Sequence, residues 1–235
     1  MVDINAVILA RSGSKSIKDK NLKLILGKPL IYYCIDAALK SKLISKVYFL
    51  TDSKKYARLA SSYGAIVPFL RPKNISHGNS KDIETFKYFV EWITKKKLTL
   101  PKIIVHLRAT SPLVLSKDID MAIEKFIKNK KCDSLKTVNI TKHNPYKMWK
   151  IDPKGYLKPI LRLKELKEPW NEPRQKLPKI VFQNAQIDIF KTALIYKNTV
   201  SGKKIIPYFL DNYTDIDDKF DLAEADIKLQ LRNKK

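Results

Sequence analysis

AVILARSGSKSIKDKN, residues Ala6–Asn21, begins as an apolar run and turns abruptly into a small, polar, cationic loop. Ala6–Ala10 lacks the polar alternation of a half-exposed strand. A strand without it is covered on both faces, and such strands belong to parallel sheets with helices above and below. Arg11, Lys15, Lys18 and Lys20 then follow within ten residues, with only Asp19 to offset them. In open α/β sheets ligands bind at the carboxyl ends of the strands, so a cationic loop at that point raises the question of an anionic ligand.

Outward from this stretch the pattern repeats. PLIYYCIDAALKS places Leu30, Ile31, Cys34, Ile35 and Ala38 on one helical face, with Pro29 suited to the first turn. KVYFLTD reads as a second strand, KKYARLASSYG as a short helix closed by Gly64, and AIVPFL as a third strand. SKDIETFKYFVEWITKK is a helix with a serine cap, and KIIVHL a fourth strand. SKDIDMAIEKFIKN is a helix capped by Ser116. The expected fold is α/β: a Rossmann-like, mostly parallel sheet with helices on both faces.

The rhythm breaks after about Thr141. His143–Pro178 holds six of the twelve prolines and two of the three tryptophans, and DPKG within it reads as a hairpin turn. Residues 141–180 are therefore expected to form a small excursion, a lid or a dimer contact, within a single domain spanning 1–235. Past it, KIVFQNAQIDIF and KIIPYFLD read as strands and DKFDLAEADIKLQLRNKK as a closing helix.

The net charge of +24 favours anionic partners: nucleotides, acidic sugars, nucleic acid or a membrane surface. Most of the lysines are scattered along the chain, so only local clusters carry a functional reading. Hydrophobic residues at 44% argue against global disorder. Two cysteines without a short spacing suggest a reducing compartment. No apolar run approaches the roughly 20 residues of a membrane span, and AVILA is too short for a signal sequence. A cytoplasmic protein with no membrane partner is expected. A helix-turn-helix, zinc finger, RNP or KH signature is absent, so no nucleic-acid partner is expected either.

The chemistry rests on a few clusters. The Arg11–Lys20 loop is neither a Walker A nor a GxGxxG sequence, because Gly13 is its only glycine before Gly27. Small residues after a strand can still present N–H groups to an anion, with Arg11, Lys15 and Lys20 neutralising a triphosphate. Read by composition alone, the loop is as readily a solvated basic surface. In TDIDDKFD, Asp215 and Asp217 at i, i+2 share one face of an extended segment. They could hold a metal, or Asp217 or Asp218 could simply cap the final helix. The three histidines, His77, His106 and His143, have no metal-ligand spacing, and His106 reads as a satisfied structural residue of a strand.

Taken together, these motifs resemble the acylneuraminate cytidylyltransferases, the CMP-sialic acid synthetase family. ILARSGSKSIKDKNL resembles the family's ARxGSKxxxxKN signature. LRP (Leu70–Pro72), TSPL (Thr110–Leu113), PRQKLP (Pro173–Pro178) and DIDDKFDL (Asp215–Leu222) follow in the family's order. The resemblance implies attack of a nonulosonic acid's anomeric hydroxyl on the α-phosphorus of CTP, giving a CMP-sugar and pyrophosphate. It implies Ala10, Arg11, Ser14, Lys15, Asn21, Arg71 and Ser80 at the nucleotide, and Arg11, Lys15 and Lys20 on its phosphates. Mg²⁺ on Asp215 and Asp217 is implied as well. Arg108, Lys147, Arg174, Asn184 and Asp188 match positions near the sugar, with Arg162 a weaker candidate, and a homodimer built through the excursion is implied.

Two departures fall on the sugar side. Where the family commonly reads LQPTSPLR this chain reads LRATSPLV, so Arg108 replaces a neutral amide. Where it reads NGAIYI this chain reads NAQIDI, so Asp188 replaces an aromatic. Arg108 would also suit a phosphorylated acceptor, which keeps open a guanylyl- or other nucleotidyltransferase acting on a sugar phosphate. A basic nucleic-acid-binding protein remains the alternative of a different class.

Overall fold

A computed structural model describes residues 2–14 and 16–233. The chain forms two compact units, Met1–Thr137 with Asn184–Lys235, and Val138–Gln183. The excursion at 141–180 falls inside the second.

The first unit is built on strand β1 (Ile4–Leu9). A two-residue hairpin, β2 (Leu24–Ile25) and β3 (Lys28–Pro29), leads into helix α1 (Leu30–Leu39). Then come β4 (Lys46–Leu50), α2 (Lys54–Ser62), α3 (Asp82–Lys95), β5 (Ile103–Arg108), α4 (Ser116–Lys128) and β6 (Ser134–Ile140). Strand β7 (Trp149–Ile151) and strand β8 (Leu157–Pro159) belong to the second unit. β9 (Val181–Lys191) re-enters the sheet, followed by β10 (Ile205–Phe209) and α5 (Lys219–Asn233).

The six-stranded sheet has the order β10-β6-β9-β5-β1-β4. β1 pairs in parallel with β4 on one side and β5 on the other, while β9 is antiparallel to β5. The apolar run that opened the reading is thus covered on both faces. Ala6, Ile8 and Ala10 pack with α1, α2 and α4 residues such as Ile35, Ala60 and Ile123. Val7 faces the other way, among Phe86, Phe89 and Ile93 of α3. α1 carries the chain from β1 to β4, and α3 precedes β5 on the opposite side of β1. The crevice between the carboxyl ends of β1 and β5 is therefore the topological switch point, where α/β sheets bind ligands.

Three local expectations need correction. AIVPFL is no regular strand, but two isolated parallel bridges at Ile66 and Leu70, because Pro68 between them has no N–H to give a ladder. Ser80 does not cap α3: Lys81 stands at that position, with Glu84 accepting from its N–H at 3.1 Å, and the Ser80 hydroxyl accepts from His77 N–H instead. Likewise Leu115, not Ser116, precedes α4, and Asp118 accepts from its N–H. Gly64 does close α2, at φ +93°, a conformation that favours glycine.

In the second unit the hairpin β7–β8 is antiparallel. Its DPKG turn is made by Asp152, whose Oδ1 accepts from the N–H groups of Lys154 and Tyr156 at 2.9 Å each, with Gly155 at φ +85°. Trp149 and Trp170 pack with ring centroids 4.8 Å apart, and Arg162 lies over Trp170. Among the described residues, no helix is long and apolar enough to cross a membrane.

Candidate active site

A cleft of about 220 Å³ opens at the switch point. Leu9, Ala10 and Arg11 enter it from the end of β1, and His106, Arg108, Ala109 and Thr110 from the end of β5. Ser14, Lys20, Asn21, Arg71, Ser80 and Asp82 complete its wall. Every nucleotide-side residue expected from the sequence lines this one cleft except Lys15, which lies outside the described residues.

The loop after β1 is fixed from several sides. At the end of β4, Asp52 accepts from Ser12 N–H and from Ser12 Oγ, both at 2.7 Å. Asn21 Nδ2 donates to the Arg11 carbonyl at 3.1 Å, so this largely buried amide shapes the loop rather than reaching out of it. Tyr56 Oη donates to Asp19 Oδ1 at 3.1 Å, where Asp19 takes a left-handed conformation. No α-helix starts directly behind the loop. A 3-10 turn, Lys20–Leu22, intervenes, and α1 begins only at Leu30. The loop offers side-chain cations and backbone N–H groups to the cleft, without a helix terminus.

Asp215 and Asp217 are exposed on either side of buried Ile216, so their carboxylates do share a face. Ile216 N–H donates to the Thr110 carbonyl at 3.2 Å, which ties this segment to the loop after β5. Lys20 Nζ donates to the Ile216 carbonyl and stands 3.1 Å from Asp217 Oδ1. Lys20, in the wall of the cleft, therefore meets Asp217 of the carboxyl-terminal acidic run. The two readings of the acidic run divide between adjacent residues. Asp218 caps α5, its Oδ1 accepting from Phe220 and Asp221 N–H, and Asp221 Oδ2 accepts in return from Asp217 and Asp218 N–H. Asp217 spends its own carboxylate on Lys20, with its side chain 80% exposed.

Arg71 is buried, with one terminal amine donating to the Ile75 carbonyl at 2.5 Å and its Nε without a partner among the described residues. Burial pulls its guanidinium below the ordinary value, and Asp52 and Asp82 partly offset this; an arginine so placed stays charged. His106 is buried too, but not satisfied as expected: among the described residues its Nε2 has no hydrogen-bond partner. Burial, reinforced by Arg108 and Lys136, holds its imidazole well below 6.5, so the ring is neutral at pH 7.

The residues expected near the sugar are more dispersed. Arg108 lines the cleft. Asp188 does not present a carboxylate to a ligand: it is buried, and its Oδ2 is 3.3 Å from Arg108 and 3.1 Å from Lys136. Asn184 is also buried, its Oδ1 accepting from Gln186 N–H and its Nδ2 donating to the Leu210 carbonyl. An extra polar group in an inward-facing strand position must find protein partners, and both residues have done so. Lys147 and Arg174 lie in the second unit, each in a 3-10 turn. The sequence reading missed Asp52, Asp82 and Lys136, and gave Thr110, quoted within TSPL, no role of its own. The end of a parallel strand is itself a signal and could have flagged Asp52 and Thr110, whereas nothing in the sequence singles out Lys136.

A family described as Cytidylyltransferase matches residues 5–153. A *Helicobacter pylori* protein named pseudaminic acid cytidylyltransferase and UDP-2,4-diacetamido-2,4,6-trideoxy-beta-L-altropyranose hydrolase is 35% identical over 147 residues, 63% of this chain. The chain spans only 28% of the length of that relative. Post-translational flagellin modification protein B of *Campylobacter coli* is 29% identical over 99% of this chain and 97% of its own length. A solved structure of CMP:2-keto-3-deoxy-manno-octonic acid synthetase complexed with CTP covers 99% of this chain and 100% of that one, with a TM-score of 0.69. At 14% identity that likeness shows the fold alone. With the match to residues 5–153 covering well over half its length, the chain belongs to the cytidylyltransferase family.

Proposed function

We propose that the protein transfers CMP from CTP to a nonulosonic, sialic-type acid and releases pyrophosphate. The observation that carries this reading is the shared cleft: Arg11, Ser14, Lys20 and Arg71 line it, and Asp217 sits 3.1 Å from Lys20 at its edge. A relative named for pseudaminic acid supports the choice of acceptor.

In this reading the anomeric hydroxyl of the acid attacks the α-phosphorus of CTP. A P–O bond to the sugar forms, the P–O bond to pyrophosphate breaks, and the hydroxyl proton leaves to solvent. Such transfers are mostly positioning plus charge neutralisation. Arg11, Lys15 and Lys20 neutralise the triphosphate, Ser14 donates to a phosphate oxygen, and Arg71 and Ser80 hold the nucleoside end. Asp52 and Asn21 keep the loop in shape.

Asp215 and Asp217 would hold Mg²⁺. Among the described residues no group of three or more His, Cys, Asp or Glu could hold a metal. Mg²⁺ commonly takes one or two carboxylates with substrate phosphates and water, and two exposed carboxylates on one face fit that need. When bound, the ion would supply charge neutralisation at the phosphates. We place the reaction in the cytoplasm, where CTP is available. We also infer a homodimer, supported by the apolar residues that the second unit exposes, among them Ile151, Tyr156, Leu157 and Ile160.

One assay tests the reading. The purified protein is incubated with each nucleoside triphosphate, Mg²⁺, and a panel of nonulosonic acids and sugar phosphates, and pyrophosphate release is measured. Release with CTP and a nonulosonic acid is expected. Release only with GTP and a sugar phosphate would replace the reading by the guanylyltransferase alternative. DNA retention that falls steeply with salt, with no CTP-dependent thermal shift, would favour a nucleic-acid-binding protein.

A further inference from the structure

At the end of the sheet away from the cleft, the amino ends of β1 and β5 open on an apolar groove of about 510 Å³. Buried Phe126 lines it, while Val2, Ile127 and Tyr196 line it and stay exposed, Tyr196 to 69%. Single exposed apolar side chains are ordinary. These three come from the segment before β1, from helix α4 and from the 3-10 turn after β9, and they converge on one hollow. A shared apolar surface of this kind marks a place of contact.

Lysines surround the groove. Lys102 precedes β5, Lys191 ends β9 opposite Ile103, and Lys130 follows α4. Lys130 also lines a neighbouring hollow of about 660 Å³, together with Lys128 and Lys131. Lys95, Lys96 and Lys97 close α3 at the same end. Among the described residues no carboxylate lines the groove, and none of these lysines is in an ion pair. The carboxylates of this end, Asp3, Glu91, Glu124 and Asp133, are fewer, and Asp133 already accepts from Lys203 and Lys204 N–H at 2.8 and 2.9 Å. Lysines suit the carboxyl ends of helices. Lys102 and Lys191 flank strands, so the helix dipole does not account for the whole ring.

An occupant must offer apolar surface at the centre and negative charge on several sides at once. One acidic side chain answers one lysine. A layer of anionic headgroups answers all of them, and the acyl boundary beneath it takes the apolar floor, where an amphipathic tyrosine is at home. We propose that this face docks on the surface of an anionic lipid bilayer. Val2, Ile127 and Tyr196 meet the acyl boundary, and Lys102, Lys130, Lys131 and Lys191 meet the headgroup phosphates. The cleft, at the other end of the sheet, then faces water and stays open to its substrates. The sequence reading expected no membrane partner because it looked for a spanning segment, and a surface contact needs none. The proposal stands apart from the cytidylyl-transfer reading.

The test is co-sedimentation of the full chain with vesicles of phosphatidylcholine alone and of phosphatidylcholine mixed equally with phosphatidylglycerol. Binding to the mixed vesicles only, falling with added salt, is expected. Because a chain of net charge +24 can adhere by any face, two pairs of substitutions of equal charge are compared. Lys130→Gln with Lys131→Gln should lower the partition coefficient roughly fivefold for each lysine. Lys54→Gln with Lys55→Gln, at the start of α2, should change it by less than about twofold. Tyr196→Ser should lower it roughly three- to tenfold, with pyrophosphate release and the mass by light scattering unchanged. Equal losses in the two lysine pairs would mean diffuse adhesion and overturn the proposal, as would undiminished binding of Tyr196→Ser. A smaller mass for Tyr196→Ser would assign the groove to a second copy of the chain. Binding of poly-L-glutamate without binding of either vesicle would assign it to an acidic protein segment. Either of these results also overturns the proposal.

Discussion

Asp217 and Asp218 are adjacent, identical in chemistry and different in occupation. Asp218 accepts hydrogen bonds from the first turn of α5, and Asp217 turns to Lys20. Asp217→Asn should therefore lower turnover by on the order of a hundredfold or more while the thermal midpoint stays near that of the wild type. A variant of full activity would remove Asp217 from the metal pair. His106 makes a prediction about stability. It is held neutral in the fold, with its pKa well below 6.5. Below that pH the unfolded chain takes up a proton that the folded chain refuses, so stability falls as pH drops through this window. The slope reaches about 1.4 kcal/mol per pH unit. Denaturant midpoints between pH 7.5 and 5.5 should fall more steeply for the wild type than for His106→Phe, and parallel curves would contradict the assignment. At this scale the sequence was legible for charge and opaque for pairing. That Arg108 and Asp188 both departed from the family pattern could be read, but that they departed towards each other could not. Their Cα atoms are eighty residues apart in sequence, and only the antiparallel pairing of β5 with β9 brings them together.

Strands β1, β4 and β5 position the cleft, and each contributes at its carboxyl end. β4 supplies Asp52, whose two contacts with Ser12 link the strand to the cationic loop. Asp52→Ala should loosen that loop and weaken CTP binding roughly tenfold, the loss of about one charge-assisted hydrogen bond, with the same maximal CTP occupancy by calorimetry. Unchanged affinity would mean that the loop holds its shape without the strand. Elements with a strong period were readable: the unbroken apolar run of β1 and the helical faces of α1, α3 and α4 stand as expected. Caps were less so. Ser80 and Ser116 are the residue type that favours a cap, yet Glu84 and Asp118 lie three residues beyond Lys81 and Leu115 and accept from those residues instead. Ser80 is left at the cleft wall, where a cap would have occupied it.

For the whole molecule, fold and site location followed from a single inference: a doubly covered strand ends in a cationic loop, and parallel sheets bind ligands at that end. The second unit was legible only as a break in rhythm, because proline-rich segments with short strands have no period to read. The family resemblance implies a homodimer built through it, and its exposed apolar residues support that proposal. Light scattering at working concentration should give twice the 27.2 kDa chain mass, and a monomer would contradict it. The central claim is that the amino-terminal cations and the carboxyl-terminal aspartates serve one metal-bound nucleotide tail. A crystal structure with CTP and Mn²⁺ in place of Mg²⁺ tests it most directly, since manganese is located by its anomalous signal. The account predicts a manganese peak at ligand distance from Asp215 or Asp217 and from the triphosphate, with Arg11 and Lys20 on the same phosphates. A triphosphate bound away from both clusters, or manganese bound away from the aspartates, would contradict it.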